Sequence, residues 1–153
     1  MRAYYVPLIA GLVLILSAFL PWMFLGDSRV GGVPDPAGLW VLALGVMAVT
    51  LAGLSLWTRK NSRHPLLVVG LAAFAITFLG YQWLSRSVRE TAWARAQAEA
   101  IVGNSPVQAP PPTAVGLGIY LGIAASVALI LFGLTIVFKT TPRMYAVSED
   151  DDV

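Results

Sequence analysis

Four stretches of the chain carry no Asp, Glu, Lys, Arg or His: residues 5–25, 37–58, 65–84 and 114–138. Each is close to the ~20 residues that cross a ~30 Å hydrocarbon core at a helical rise of ~1.5 Å per residue. Lipid offers backbone groups no hydrogen bonds, so each stretch is predicted to be a helix. Pro7 and Pro65 fall at helix starts, where a missing N–H costs nothing. Pro21 falls in the last turn of the first stretch and should kink or end it. The expected fold is an all-α membrane protein, one integral membrane domain over residues 1–153, with four transmembrane helices in an up-down bundle.

Between the apolar stretches the pattern turns polar. From Gly26 to Pro36 an outer turn is predicted, bent by Gly31, Gly32, Pro34 and Pro36 and charged only at Asp27, Arg29 and Asp35. The second outer loop, residues 85–113, has two halves. "SRSVRETAWARAQAEAIVG" is rich in helix formers, and Gly103 suits a helix end. This predicts an extra outer helix that continues the third span or lies along the membrane surface. Arg86 with Glu90 and Arg95 with Glu99 stand at the i,i+4 spacing of helical ion pairs. "NSPVQAPPPT" reads as an extended, polyproline-like return. Residues 140–153 end in "SEDDDV" and read as an acidic, mobile tail.

A weak repeat relates the two halves. Leu8, Gly11, Leu12, Phe19 and Leu20 align with Leu67, Gly70, Leu71, Phe78 and Leu79. Gly38, Trp40, Gly53, Leu54 and Ser55 align with Gly118, Tyr120, Gly133, Leu134 and Thr135. A duplicated helical hairpin would give a pseudo-two-fold axis along the membrane normal.

Composition agrees with lipid as the solvent: 58% of the 153 residues are hydrophobic and 12% charged. The net charge of +2 comes from basic residues beside the apolar runs, which argues for topology signals and against nucleic acid. With four spans, Arg2, Arg59, Lys60, Arg63, Lys139 and Arg143 share the side of the termini, against Arg29, Arg86, Arg89 and Arg95 opposite. That asymmetry puts both termini in the cytoplasm. Trp22, Trp40, Tyr81 and Trp83 are then expected in an outer aromatic belt, with Tyr4, Tyr5 and Trp57 in an inner one. Met1-Arg2 and the run behind it mimic a secretory signal, but no Ala-x-Ala site follows, so a retained helix is expected.

Candidate chemistry is sparse. The absence of cysteine excludes disulfides, thiolate nucleophiles, iron–sulfur clusters and Cys-bound zinc. The polar groups at depth are Ser17, Thr50, Ser55, Thr77, Ser126 and Thr135, suited to bonding a carbonyl of their own helix or a neighbouring one. His64, the single histidine, sits at the inner interface, where it would serve as an interfacial ligand to a pigment, a haem iron or a lipid phosphate. No phosphate loop, Ser–His–Asp set or HExxH motif is present, so no catalytic, cofactor or metal residues are assigned and no enzyme is expected.

The most informative pattern is "GLGIYLGIAASVA", in which Gly118, Gly122 and Ser126 recur every four residues beside Gly116. Such a small-residue stripe lets another helix backbone approach closely. Asp27, Arg29, Asp35, Arg86, Arg89 and Arg95 are the clustered outer charges and the candidate docking residues.

Trp22 followed by Gly38-Leu39-Trp40 resembles the Trp…Gly-Leu-Trp signature of claudin-like tetraspan proteins. The paired cysteines of that signature are absent and Gly38 leads straight into a predicted helix, so no function is carried over. The layout of the whole chain, with Leu20-Pro21-Trp22 at the first outer interface, is similar to small bacterial four-span membrane proteins. That similarity implies a bacterial cytoplasmic (inner) membrane and no particular activity. The expected function is a non-catalytic accessory or structural subunit of a larger membrane complex, such as a respiratory, photosynthetic or transport assembly. Its partners would be other integral membrane subunits and lipids. The alternatives are a binding module for an apolar ligand (quinone, carotenoid or lipid) held between helices, and a self-associating transporter or channel.

Overall fold

The structure, a computed structural model, describes residues 5–58, 63–104, 106, 109 and 112–139. The acidic tail and the basic residues Arg2, Arg59, Lys60 and Arg143 lie outside the described residues. Four helices dominate: α1 (Tyr5–Phe19), α2 (Pro36–Thr58), α3 (Arg63–Gly103) and α4 (Leu117–Lys139). The last three are long and apolar enough to cross a membrane, whereas α1 is a shorter apolar helix of 15 residues.

The helices form a ring in which α1 and α3 each pack against both α2 and α4. Leu14, Val41, Ala48, Leu66, Ala73 and Leu129 are among the side chains that close the core. Small residues set the approach. A Cβ added at Gly11 would stand 3.0 Å from the Val49 nitrogen, and one at Gly45 3.0 Å from the Ile15 nitrogen, so α1 and α2 run antiparallel. A Cβ at Gly70 would stand 3.0 Å from the Ile130 nitrogen, and one at Gly133 2.5 Å from the Leu67 Cβ, so α3 and α4 do the same. Gly11 and Gly70, aligned in the sequence repeat, thus meet equivalent positions of the following helix to within one residue. The correspondence stops at Gly53, the partner of Gly133, which has nothing within 4 Å of its Cβ position.

The chain is mostly helical, as expected, but it is not helical throughout. Three short strands, β1 (Met23–Leu25), β2 (Ser28–Val30) and β3 (Thr113–Val115), form an antiparallel sheet in the order β2-β1-β3. The first apolar stretch therefore does not stay helical to residue 25. Pro21 lacks an N–H and disfavours helical geometry in the residue before it, so α1 ends at Phe19 and the chain leaves in extended form. Gly26, with φ of 56°, supplies the left-handed turn residue that lets β2 fold back on β1. The predicted outer turn is thus half a hairpin. At the other end of the sheet, β3 takes residues predicted to begin the fourth span, and α4 starts at Leu117.

Of the two placements expected for the helix within residues 85–113, the structure has the first: it continues the third span, and α3 runs without a break for 41 residues, far past position 84. It ends at Gly103, but the left-handed residue that follows the helix is Asn104, with φ of 47°.

Candidate functional site

A helix that stops early leaves its last carbonyls without intrahelical partners, a serious cost in apolar surroundings. Trp22 and Val33 meet two of these carbonyls at the end of α1, and the residues at the start of α4 meet two more just beyond it. The Ser17 carbonyl accepts the Trp22 indole N–H at 3.1 Å, and the Ala18 carbonyl accepts the Val33 N–H at 2.7 Å. The Pro21 and Trp22 carbonyls accept the N–H groups of Gly118 and Gly116, at 3.2 and 2.7 Å. Gly32, with φ of 81°, lies so close that an added Cβ would stand 2.7 Å from the Leu20 carbonyl oxygen.

Trp22 is the centre of this arrangement. It is 1% exposed, so it does not belong to the outer aromatic belt in which the sequence places it. Glycines make its room. Added Cβ atoms at Gly80 of α3 and Gly118 of α4 would each stand 2.7 Å from the indole ring, and one at Gly31 would stand 2.8 Å from the Trp22 Cβ. Of the other belt residues, Trp40 is 63% and Trp83 78% exposed, and Trp57 stands out at the opposite end of α2, whereas Tyr81 packs half-buried against the core and Tyr4 lies outside the described residues.

The small-residue stripe of α4 is spent inside the chain. Gly116 and Gly118 receive the end of α1, and a Cβ at Gly122 would lie 3.0 Å from Thr77 Cγ2 and 3.3 Å from Ser17 Oγ. Ser126 is fully buried. The hydroxyls of Ser17, Thr77 and Ser126 each donate to a carbonyl of their own helix, those of Leu14, Ala73 and Ile123. Thr50, Ser55 and Thr135 do likewise. Each of these six hydroxyls is thus satisfied within its own helix.

A cleft of about 650 Å³ lies between α2 and α3. Trp22 forms its floor, Trp40 and Trp83 stand at its rims, and Ile76 and Leu79 line the α3 wall. Asp35 is its one charged lining residue. Asp35 directly precedes α2, and Pro36 takes the first helical position, where proline is preferred. A shallower pocket of about 500 Å³ shares Trp83 and Leu84 with the cleft and adds Arg86 and Glu90. Sequence reasoning did not find the cleft, because its walls come from residues that each look like ordinary membrane-facing positions.

Asp27 and Arg29 lie at the exposed tip of the hairpin and Asp35 at the start of α2, and Arg29 and Asp35 line one pocket of about 350 Å³. Arg86, Arg89 and Arg95 are all exposed on α3. At 3.6 residues per turn, Arg95 points about 180° away from Arg86, whereas Arg86, Arg89 and Trp93 share a face. The i,i+4 partners Arg86 and Glu90, and Arg95 and Glu99, are not joined by an ion pair. His64 is exposed at the start of α3. Among the described residues, no three His, Cys, Asp or Glu side chains come together as metal ligands.

Comparison with family models, with curated proteins and with solved structures yields no match.

Proposed function

We propose that the protein is a four-span, up-down membrane bundle that acts as a non-catalytic subunit, docking a larger membrane assembly through the outer half of α3. The observation that carries this reading is the length of α3. Its 41 residues extend about 60 Å at ~1.5 Å per residue, twice a ~30 Å hydrocarbon core. The aromatic markers set the level of the membrane. Trp40 and Trp57 are 17 residues apart on α2, about 26 Å, close to the thickness of that core. On α3 the equivalent outer level is Trp83, so the twenty residues to Gly103 stand about 30 Å clear of it.

That projecting helix keeps Trp93, Ile101 and Val102 exposed, at 49%, 81% and 89%. Apolar groups held in water on a rigid stalk mark a protein contact better than they mark a solvated surface. Arg89 on the Trp93 face adds the polar part of such a contact. In this reading α1 is the fourth span, both termini are cytoplasmic, and the membrane is the bacterial inner membrane. The near-equivalent seats of Gly11 and Gly70 support a duplicated hairpin.

Co-purification in mild detergent tests the function. Wild-type protein should bring down unrelated membrane subunits, and Trp93→Ala combined with Arg89→Gln should lose them while still inserting. Recovery of the same subunits by the double variant would overturn the docking reading.

A further inference from the structure

We infer that the cleft between α2 and α3 is a binding site for one aminophospholipid, with an acyl chain inside it and a head group carrying both phosphate and amine at its mouth. The inference rests on the membrane-spanning reading of α2 and α3.

The volume comes first. About 650 Å³ lies in the range of small-molecule sites, which are apolar with a few placed polar groups. Trp22, Ile76, Leu79 and Gly80 offer hydrocarbon and an indole face, and Ala37 on α2 keeps the opposite wall thin. The floor is rigid, because Trp22 is fixed by its bond to the Ser17 carbonyl and by the glycines around it. In a bilayer the molecules that reach such a groove in quantity are lipids.

The charges at the mouth select among them. Trp40 and Trp83 mark the interface level, where indoles prefer to sit. Asp35 lies five residues before Trp40, and Arg86 three residues after Trp83, so both side chains belong to the head-group layer just outside it. Asp35 borders the cleft from the α2 side. Arg86 borders the adjoining pocket, which shares Trp83 and Leu84 with the cleft. Neither side chain has a hydrogen bond or ion pair within the described residues. Glu90 shares the adjoining pocket with Arg86, and Arg29 shares a further pocket with Asp35, so charges of both signs flank the slot. That pattern matches a zwitterionic head: phosphate to the Arg86 guanidinium, ammonium to the Asp35 carboxylate. A purely anionic head would satisfy Arg86 and be repelled by Asp35 and Glu90.

The test uses the full-length protein in nanodiscs holding phosphatidylethanolamine and phosphatidylglycerol with identical acyl chains. Co-bound lipid is counted by native mass spectrometry after release into mild detergent. One phosphatidylethanolamine should be retained, in preference to phosphatidylglycerol by about fivefold, the scale of a single exposed ion pair. Asp35→Asn should erase that preference, and Arg86→Gln should lower retention of both lipids. Ala37→Phe, which fills the slot from its thin wall, should abolish retention while leaving the melting temperature in detergent near that of the wild type. Equal retention of the two lipids, a preference that survives Ala37→Phe, or a second copy of the chain in place of lipid would overturn the proposal. Resistance of the same preparations to alkaline extraction keeps these outcomes separate from the membrane reading, which fails if the protein is washed off.

Discussion

The indole N–H of Trp22 donates to the backbone carbonyl of Ser17 at 3.1 Å, tying the residue that follows the proline stop to the last turn of α1. The bond does two jobs. It satisfies a carbonyl stranded by the end of the helix, and it orients the ring that forms both the core under the sheet and the floor of the α2–α3 cleft. Trp22→Phe keeps most of the packing but leaves that carbonyl without its donor. A loss of about 1–3 kcal/mol is expected. Trp22→Ala should cost about 3–5 kcal/mol, as large-to-small core changes do. Reversible unfolding in mixed detergent would measure both, and equal stability of Phe and wild type would show that the hydrogen bond contributes nothing.

Glycines in the bundle should separate sharply into two classes. At Gly118 an added Cβ would meet Trp22 Cδ1 at 2.7 Å and the Leu20 carbonyl oxygen at 2.8 Å, so Gly118→Ala should destabilise by about 1–3 kcal/mol, the range for overpacking. Gly53 has open space around it, and Gly53→Ala should be neutral or gain up to about 1 kcal/mol of helix propensity. Thermal melts of the two variants decide the matter; a reversed order would mean that the close contact at Gly118 relaxes freely.

Gly122→Leu is expected to disrupt the fold itself and not merely a contact with a partner. Its Cβ would already press on Thr77 Cγ2 at 3.0 Å, and three further carbons have nowhere to go between α1, α3 and α4. The readout is monodispersity in detergent. A stable, monodisperse variant that has only lost its partners would place the stripe on the outside.

Topology is open to labelling, since the chain has no cysteine of its own. Asn104→Cys, just past the end of α3, should react with an impermeant thiol reagent in intact cells, and Asn61→Cys, between α2 and α3, should react only after permeabilisation. The opposite pattern would invert the assignment of the termini to the cytoplasm.

The helices α2, α3 and α4 were legible in the chain because the signal is local: some twenty residues without a charge can satisfy their backbone in lipid only as a helix. Pro21 announced the end of α1 for an equally local reason, its missing N–H. The stripe at Gly116, Gly118 and Gly122 declared a close contact, since small residues permit one wherever they occur. What it touches was a matter of tertiary structure. Pro21, Trp22 and Ser17 fill that space, and nothing in the stripe itself distinguishes them from a foreign helix. The sheet was invisible for the same reason: three strands of three residues have no periodicity to read, and pairing Met23 with both Val30 and Val115 depends on the helices having already brought those segments together. Trp22 shows the division most plainly. Its place after an apolar run fits a membrane interface, but whether a large amphipathic ring faces lipid or core depends on who makes room for it. Gly31, Gly80 and Gly118, from three other parts of the chain, make that room, and only their convergence in space turns an interface residue into the centre of the fold.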